Sequence, residues 1–420
     1  MSEAAAPKGV FASNRGFLPW LCGRVAAVLG RQIFFVAVGF DIYERTHSTF
    51  ALGLVGLVQV VPVVLLAIPA GNAVDRFDAR RVALLSTLGM FVCALGFTLF
   101  GESAHLGVFY ALLFLHATAV AFHSPAVGTL LPRLIDPATR TAANAWSSTA
   151  FELASVVGPA LSGLLLAAGS ARHAYAVHTG GSLVLAGVLL WILRADLARP
   201  VAAVAKRAQS LRDLTAGLRF IFKSKLLLPA ITLDLFAVLL GGVTALLPVF
   251  ALDVLHVGPQ GLGFLRAAPA VGALVMALLT TRLPPWKRPG VVLLIVVAIF
   301  GVATLGFAVS KSLLLSLVLL AIAGAADNIS VVIRITLEQS VVPDQLRGRV
   351  SAVHYVFIGL SNELGEFESG VTASLLGPVG SVVLGGFGTL AVVGLIAWRF
   401  PELVGLKPLA ELEPELHAAA

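Results

Sequence analysis

From Phe50 to Val74 the chain runs without a charged residue, and it then ends abruptly in Asp75-Arg76-Phe77-Asp78-Ala79-Arg80-Arg81. About 20 helical residues at about 1.5 Å each span about 30 Å of hydrocarbon, so this stretch can cross a bilayer and its charged end must lie outside the lipid. Hydropathy predicts twelve such helices, at 17–42, 50–74, 82–101, 105–131, 143–170, 173–193, 226–255, 259–281, 290–309, 312–338, 350–377 and 379–400. Spanning segments must satisfy their own backbone hydrogen bonds, and long apolar runs joined by short polar turns suit helices rather than a barrel. The chain has 58% hydrophobic and 12% charged residues, against about 25% charged in a typical soluble domain. This balance excludes a water-soluble globule and indicates an all-α integral membrane protein. The segment before Phe17 carries two bases and no small-residue cleavage signal, so the first helix reads as an uncleaved anchor.

The apolar pattern repeats. One displacement, the 207 positions from Gly56 to Gly263, also lays Pro62 on Pro269, Arg80-Arg81 on Lys287-Arg288, Arg140 on Arg347, Gly158 on Gly365 and Ser162-Gly163 on Ser369-Gly370. A single offset serving separate regions predicts two pseudo-symmetric six-helix bundles, at 1–198 and 226–400, with a cytoplasmic linker at 199–225 and a cytoplasmic tail at 401–420. In the linker, Leu211, Leu214, Leu218 and Phe222 recur at helical spacing and predict an amphipathic helix on the inner surface. Of the 29 Lys and Arg, only Arg45, Arg172 and Lys311 fall on the side opposite the linker, while Arg24, Arg31, Arg266 and Arg334 fall inside predicted spans. The positive-inside rule then places both termini in the cytoplasm. The formal charge of +7 thus points to lipid headgroups as partners and not to nucleic acid. Cys22 and Cys93 lie in apolar spans without metal or disulfide spacing, and no cofactor is implied.

Twelve helices in two repeats, a long central loop and the pattern Gly71-x-x-x-Asp75-Arg76-x-x-x-Arg80-Arg81 together resemble the major facilitator superfamily of secondary transporters, across essentially the whole chain. The Asp-Arg-Phe-Asp version, together with 327–370, resembles the branch of that superfamily that includes the enterobactin exporter. Asp78 and Ala79 stand where the family pattern has a glycine and a base. In the fifth helix, Gly158-Pro159-Ala-Leu-Ser162-Gly163 is similar to the family's antiporter motif, with Ala154 and Ser162 replacing glycines of that pattern. Small residues let helices approach closely, and proline weakens the local backbone ladder. Proton-coupled drug exporters of the superfamily usually carry an arginine within the fourth helix, whereas 105–131 contains none.

The resemblance implies that Gly71, Asp75, Arg76, Arg80 and Arg81 form a cytoplasmic latch, made in one conformation and broken in the other. Topogenic charge is the plainer reading of the same residues. Ionisable groups within a span are costly and face a cavity or a partner. Arg24 and Arg31, seven apart and on one face of the first helix, could bind an anionic group of substrate or neutralise acids of the seventh or eleventh helix. Asp327 and Arg334 share that spacing in the tenth helix, about 10 Å apart along the axis, so each needs a partner elsewhere. The eleventh helix offers Glu363 and Glu366, which lie on one face and, beside an arginine, could share a proton. The alternative is a structural network locking the two helices together. Glu152 and Asp234 are lone acids, candidates for coupling or for pairing with an arginine. His116 and His123 read as packing residues, and Trp20, Tyr43, Tyr110, Trp191 and Trp398, near helix ends, read as interface anchors.

These features predict a monomeric secondary transporter in a bacterial-type inner membrane, working by alternating access. The expected activity is proton-coupled export of a lipophilic or amphipathic small molecule of the siderophore or drug class. Uptake by symport or uniport is the alternative. A membrane enzyme or a receptor is less well supported: there is no Gly-rich phosphate loop followed by Lys, no HExxH, no cysteine pair and no substantial extramembrane domain.

Overall fold

A computed structural model describes residues 10–197, 211–282, 284 and 286–412. Most of the expected N-terminal segment, the first part of the linker and the end of the tail (413–420) lie outside the described residues. Within them there is no strand, and eleven helices are long and apolar enough to cross a membrane. We number the helices α1 (Phe17–Thr46), α2 (Thr49–Arg76), α3 (Ala79–Phe100), α4 (Leu106–Leu134), α5 (Arg140–Ala168), α6 (Ala171–Arg194), α7 (Leu211–Lys223), α8 (Leu227–Gly241), α9 (Gly258–Thr280), α10 (Pro289–Val309), α11 (Leu313–Val341) and α12 (Asp344–Arg399). Local chemistry fixes several starts. Asp78 caps α3 by accepting from the Arg80 N–H at 2.9 Å, the Ser48 hydroxyl accepts from the Ala51 N–H at 3.2 Å, and Pro289 opens α10, where its missing N–H costs nothing.

One expected span is interrupted, and the break between two others falls at their expected boundary. The seventh, expected over 226–255, leaves α-helical geometry at Gly241 and continues through a 3₁₀ turn (Thr244–Leu246) and a π turn (Phe250–Val254). Gly242 adopts a non-helical ψ of 83°, and Pro248 has no N–H to continue a ladder. The eleventh and twelfth, expected over 350–377 and 379–400, form one helical run of 56 residues broken at Gly377, with φ 77° and ψ 163°. That φ lies where side chains are strained, and Pro378 follows it. Ser381 braces the break: its hydroxyl lies 2.6 Å from that of Thr372 and 3.2 Å from the Ser369 carbonyl.

Packing divides the chain into two units, Met1–Ala37 with Leu65–Ala208, and Val38–Val64 with Gln209–Ala420. In the first, α3 packs on both α4 and α6, around a core that includes Phe17, Ala83, Leu130, Leu185 and Leu189. Helix α6 meets α1 backbone to backbone, because any Cβ on Gly181 would run into the Ala26 carbonyl. The His116 and His178 Nε2 atoms, 2.9 Å apart, form a fully buried pair against the Phe34 ring, in line with a packing role for His116.

In the second unit, α9 packs on α11, α12 on α8, and α10 on both α11 and α12. The closest approach joins α9 and α11: a Cβ on Gly272 would strike the Ala321 carbonyl, and one on Gly324 the Pro269 carbonyl. The tip of the α1–α2 hairpin, Val38–Val64, belongs here as well. A Cβ on Gly53 would lie 2.9 Å from Gly370 Cα, and one on Gly56 2.8 Å from Glu366 Cβ. The Tyr43 hydroxyl donates to Asp253. This contact and the burial of Tyr43 and Trp20, 4% and 3% exposed, replace the interface anchoring expected of them. The expected amphipathic helix is present as α7, with Leu218 packed against the core and further docking residues that the leucine spacing does not single out. Gly217 lies against the Arg349 backbone, Phe220 and Ile221 are each 1% exposed, and Phe222 is 62% exposed. The exposure of Phe222 departs from the expected face, and docking on α12 adds Gly217, which the spacing of leucines alone did not give.

Replacing Gly272 or Gly324 by Val should destabilise the protein by about 1–3 kcal/mol or more, because each added side chain meets backbone that cannot turn aside. Thermal unfolding in detergent should show a lowered Tm for both. Gly107→Ala, where a Cβ meets nothing within 4 Å, should leave Tm unchanged or raised.

Candidate functional site

Each unit contains a cavity lined by groups that the sequence places inside spans, and the two differ in charge. The cavity of the first unit has a volume of about 290 Å³. Arg24 and Arg31 both line it, as their spacing on one face of α1 requires, together with Trp20 and with His123 and Ser124 of α4 and Ser147 of α5. Among the described residues no carboxylate lines this cavity. Arg24 stacks on Trp20, with its guanidinium carbon 5.8 Å from the ring centroid. Glu152 is half-buried on α5 outside this lining.

The cavity of the second unit, about 210 Å³, lies at the interruption of the seventh span and is lined by Gly241, Gly242, Thr244, Asp327, Asn362 and Glu366, among others. Irregular backbone at membrane depth is tolerated where protein groups satisfy it or where it lines a cavity. Both conditions hold here: the Ser369 hydroxyl donates to the Gly242 carbonyl at 3.0 Å, and Arg266 Nη1 donates to the Thr244 carbonyl at 2.8 Å. Asp327 is flanked by α8, α10 and α11 and is exposed to this cavity.

Arg334 finds its partner in Asp234 of α8, not in the eleventh span as expected. The two side chains form an ion pair with 4% and 10% exposure, and Ser330 Oγ lies 3.3 Å from Arg334 Nε. Asp327 is within electrostatic range of both members. Glu363 and Glu366 instead lie within electrostatic range of Arg266. Heptad spacing brings Arg334 and Asp327 to one side of α11, but nothing in it distinguishes α8 from α12 as the source of the counter-charge.

Of the loop motif, Asp75, Arg76 and Arg81 are exposed and Gly71 is half-buried. Arg80 is the engaged member, donating to Asp78 at 2.8 Å and pairing with Asp196. Hydrogen bonds from Arg80 hold the Asp78 carboxyl below its ordinary range. The folded-state value is depressed, so this contribution is present at neutral pH and is lost as pH falls through that value. In the antiporter-like segment, Gly158, Pro159 and Gly163 are buried. A Cβ on Gly158 would lie 2.6 Å from Gln32 Cβ, and Ser162 Oγ donates to the Ile33 carbonyl at 2.9 Å. The motif thus sets a close contact between α5 and α1.

Sequence reasoning passed over a buried cluster at the α11–α12 turn. Glu338 accepts from the Ser351 hydroxyl and from His354 Nδ1, the latter at 2.7 Å. Glu338 lies one turn beyond Arg334 on the same face of α11, which was a usable signal. Its partners, across the Val342-Pro343 turn, carry no recognisable spacing.

A sequence model of the Major Facilitator Superfamily matches residues 20–365. The enterobactin exporter EntS of Citrobacter koseri is 27% identical over 379 residues, covering 89% of this chain and 88% of that protein. EntS of Escherichia coli O1:K1 / APEC is 26% identical over 402 residues, 94% of each chain. Among solved structures, a POT family transporter in complex with 5-aminolevulinic acid superposes with a TM-score of 0.73 at 12% identity, covering 94% of this chain and 98% of that one. A bacterial homologue of the iron transporter ferroportin in an inward-facing state gives 0.70 at 17% identity, over 93% and 99%. At these identities the structures establish the fold alone.

Breaking a buried ion pair leaves an uncompensated charge and costs about 3–5 kcal/mol, whereas removing both partners costs much less. Asp234→Leu and Arg334→Leu should each lower the unfolding temperature strongly, and the double variant should recover at least half of the loss. Additive losses in this double-mutant cycle would mean that the pair contributes nothing as a pair.

Proposed function

Because the chain belongs to the Major Facilitator Superfamily and is a multi-pass membrane transporter, we propose that it is a proton-driven exporter of a lipophilic or amphipathic small molecule, working by alternating access. The similarity to proteins named enterobactin exporter, at 26–27% identity over nearly the whole chain, supports the siderophore or drug class and an inner membrane of bacterial type. The distribution of Lys and Arg supports cytoplasmic termini. The chain acts as a monomer, with one duplicated bundle supplying both halves of the substrate path.

The observation that carries the coupling is the acidic cavity at the interrupted seventh span. Asp327 and Glu366 both line it, each with an arginine within electrostatic range, Arg334 for one and Arg266 for the other. A carboxyl facing a cavity between helices can be reached by a proton, and a nearby base bears on how readily it takes one. A proton arriving at Asp327 or Glu366 cancels one negative charge and alters the field at the Asp234–Arg334 pair or at Arg266. Contacts among α8, α9, α11 and α12 would then rearrange as the proton comes and goes, which is how a local titration biases a two-state bundle. Glu363, one turn from Glu366, tunes the same base. Gly71, Asp75, Arg76, Arg80 and Arg81 act as a latch at the cytoplasmic ends of α2 and α3, and Gly158, Pro159 and Gly163 keep α5 close to α1 through the cycle. Glu152 is a second-rank coupling candidate.

In liposomes with an imposed pH gradient, the wild-type chain should move an amphipathic dye or a siderophore against its concentration gradient. Asp327→Asn and Glu366→Gln should abolish gradient-driven accumulation while preserving gradient-free exchange; Glu363→Gln should shift the pH response. If all three keep the wild-type profile, the cavity is structural. Separately, Asp75→Asn should slow transport several-fold with folding and substrate affinity intact, and undiminished flux would remove the latch.

A further inference from the structure

We propose that the cavity of the first unit is a subsite for an anionic aromatic group, a flat ring bearing a carboxylate and a hydroxyl. The inference rests on the transporter reading above and names the chemical class its substrate presents to α1.

Charge is the first observation. Arg24 and Arg31 line one cavity of about 290 Å³ and, among the described residues, no carboxylate shares the lining. Two guanidinium groups facing one enclosed space repel each other, and the repulsion is larger there than in water. An anion entering the space relieves it and accepts charge-assisted hydrogen bonds from both. The second observation is shape: the Trp20 side chain, 3% exposed, forms part of the wall of the same cavity.

His123 adds the third element. When the Thr87 hydroxyl donates to the Ala83 carbonyl, 2.7 Å away, it accepts from His123 Nδ1, 3.1 Å away, and in that tautomer the imidazole offers Nε2 as an acceptor to a ligand hydroxyl. Apolar walls from Val28, Met90, Val120, Val127 and Leu131, with the Trp20 ring, suit a flat apolar body. The volume is at the lower end of the roughly 300–1,000 Å³ of small-molecule sites, which fits a single substituted ring, either a whole small acid or one arm of a larger molecule.

The test uses the full chain in detergent and 3-hydroxybenzoate as the probe, with 3-hydroxybenzamide as its neutral isostere, read by equilibrium dialysis against protein-free micelles. The acid should bind saturably and at least about tenfold more tightly than the amide. Arg24→Gln and Arg31→Gln should each lower its affinity about tenfold or more, Arg24→Lys should restore part of the loss, and His123→Phe should weaken 3-hydroxybenzoate more than benzoate. Unfolding temperatures identify any variant that has lost its fold, and the Arg→Lys comparison then carries the test. Equal binding of acid and amide, indifference to both arginines, or no saturable binding would overturn the proposal. These measurements need no gradient. A chain that exports in liposomes but binds acid and amide alike sinks the subsite alone; one that binds the acid but moves nothing sinks the transport reading alone.

Discussion

Hydrocarbon offers a peptide group no hydrogen-bond partner, and this requirement governs the chain from end to end. Each buried N–H and carbonyl must be matched within the protein, so helix is the default and every departure needs a specific remedy. At the seventh span the remedies are Ser369 and Arg266, which donate to the carbonyls of Gly242 and Thr244. Gly377 lies instead at the boundary between the eleventh and twelfth spans, where Ser381 donates across the turn to the Ser369 carbonyl. Ser369 and Ser381 thus serve the backbone of neighbouring turns, and Arg266 is held in place by the break that it repairs.

The same requirement explains where chemistry can be located. A continuous helix has no free backbone group to present, so polar sites arise either where a helix is interrupted or where charged side chains are tolerated in a cavity. The second unit uses the first device, with Asp327 and Glu366 lining the space at the break. The first unit uses the second, with Arg24 and Arg31 on uninterrupted α1. The cavities consequently carry opposite charge, acidic in one unit and basic in the other, although the two halves of the sequence are related by one displacement. The positions matched by that displacement are small, proline or basic residues, whereas the charged residues lining the two cavities have no matching charge in the other half.

Much of this was legible in the residues. The run from Phe50 to Val74 forces a spanning helix, and the spacing of Arg24 and Arg31 on one face forces them into a common space. Gly158 and Ser162 announce a close helix contact through their size. What the sequence did not disclose is which helix faces which. Arg334 has counter-charges available on both α8 and α12, and only the packing of α8 against α11 decides for Asp234. The docking residues Gly217, Phe220 and Ile221 of α7 escaped notice for the same reason, since the α12 backbone that Gly217 meets leaves no mark on the spacing of the leucines. His354 and Ser351 meet Glu338 only because α12 folds back after Pro343, a geometry that no local pattern encodes. The fold depends on properties that each residue carries alone, whereas the site depends on pairs.

The α1–α2 hairpin tip has an implication for how the chain divides. Its residues, Val38–Val64, lie in sequence within the first half but pack with the second, where Tyr43 meets Asp253 and Gly53 meets Gly370. Severing the chain in the long polar tract before α7 would therefore not yield two self-sufficient fragments. The leading piece would carry an arm stripped of its packing surface, and the trailing piece would be left with a vacant groove along α12. Each fragment would need the other to complete its own fold, so stable pieces should be recovered by co-expression and not one at a time.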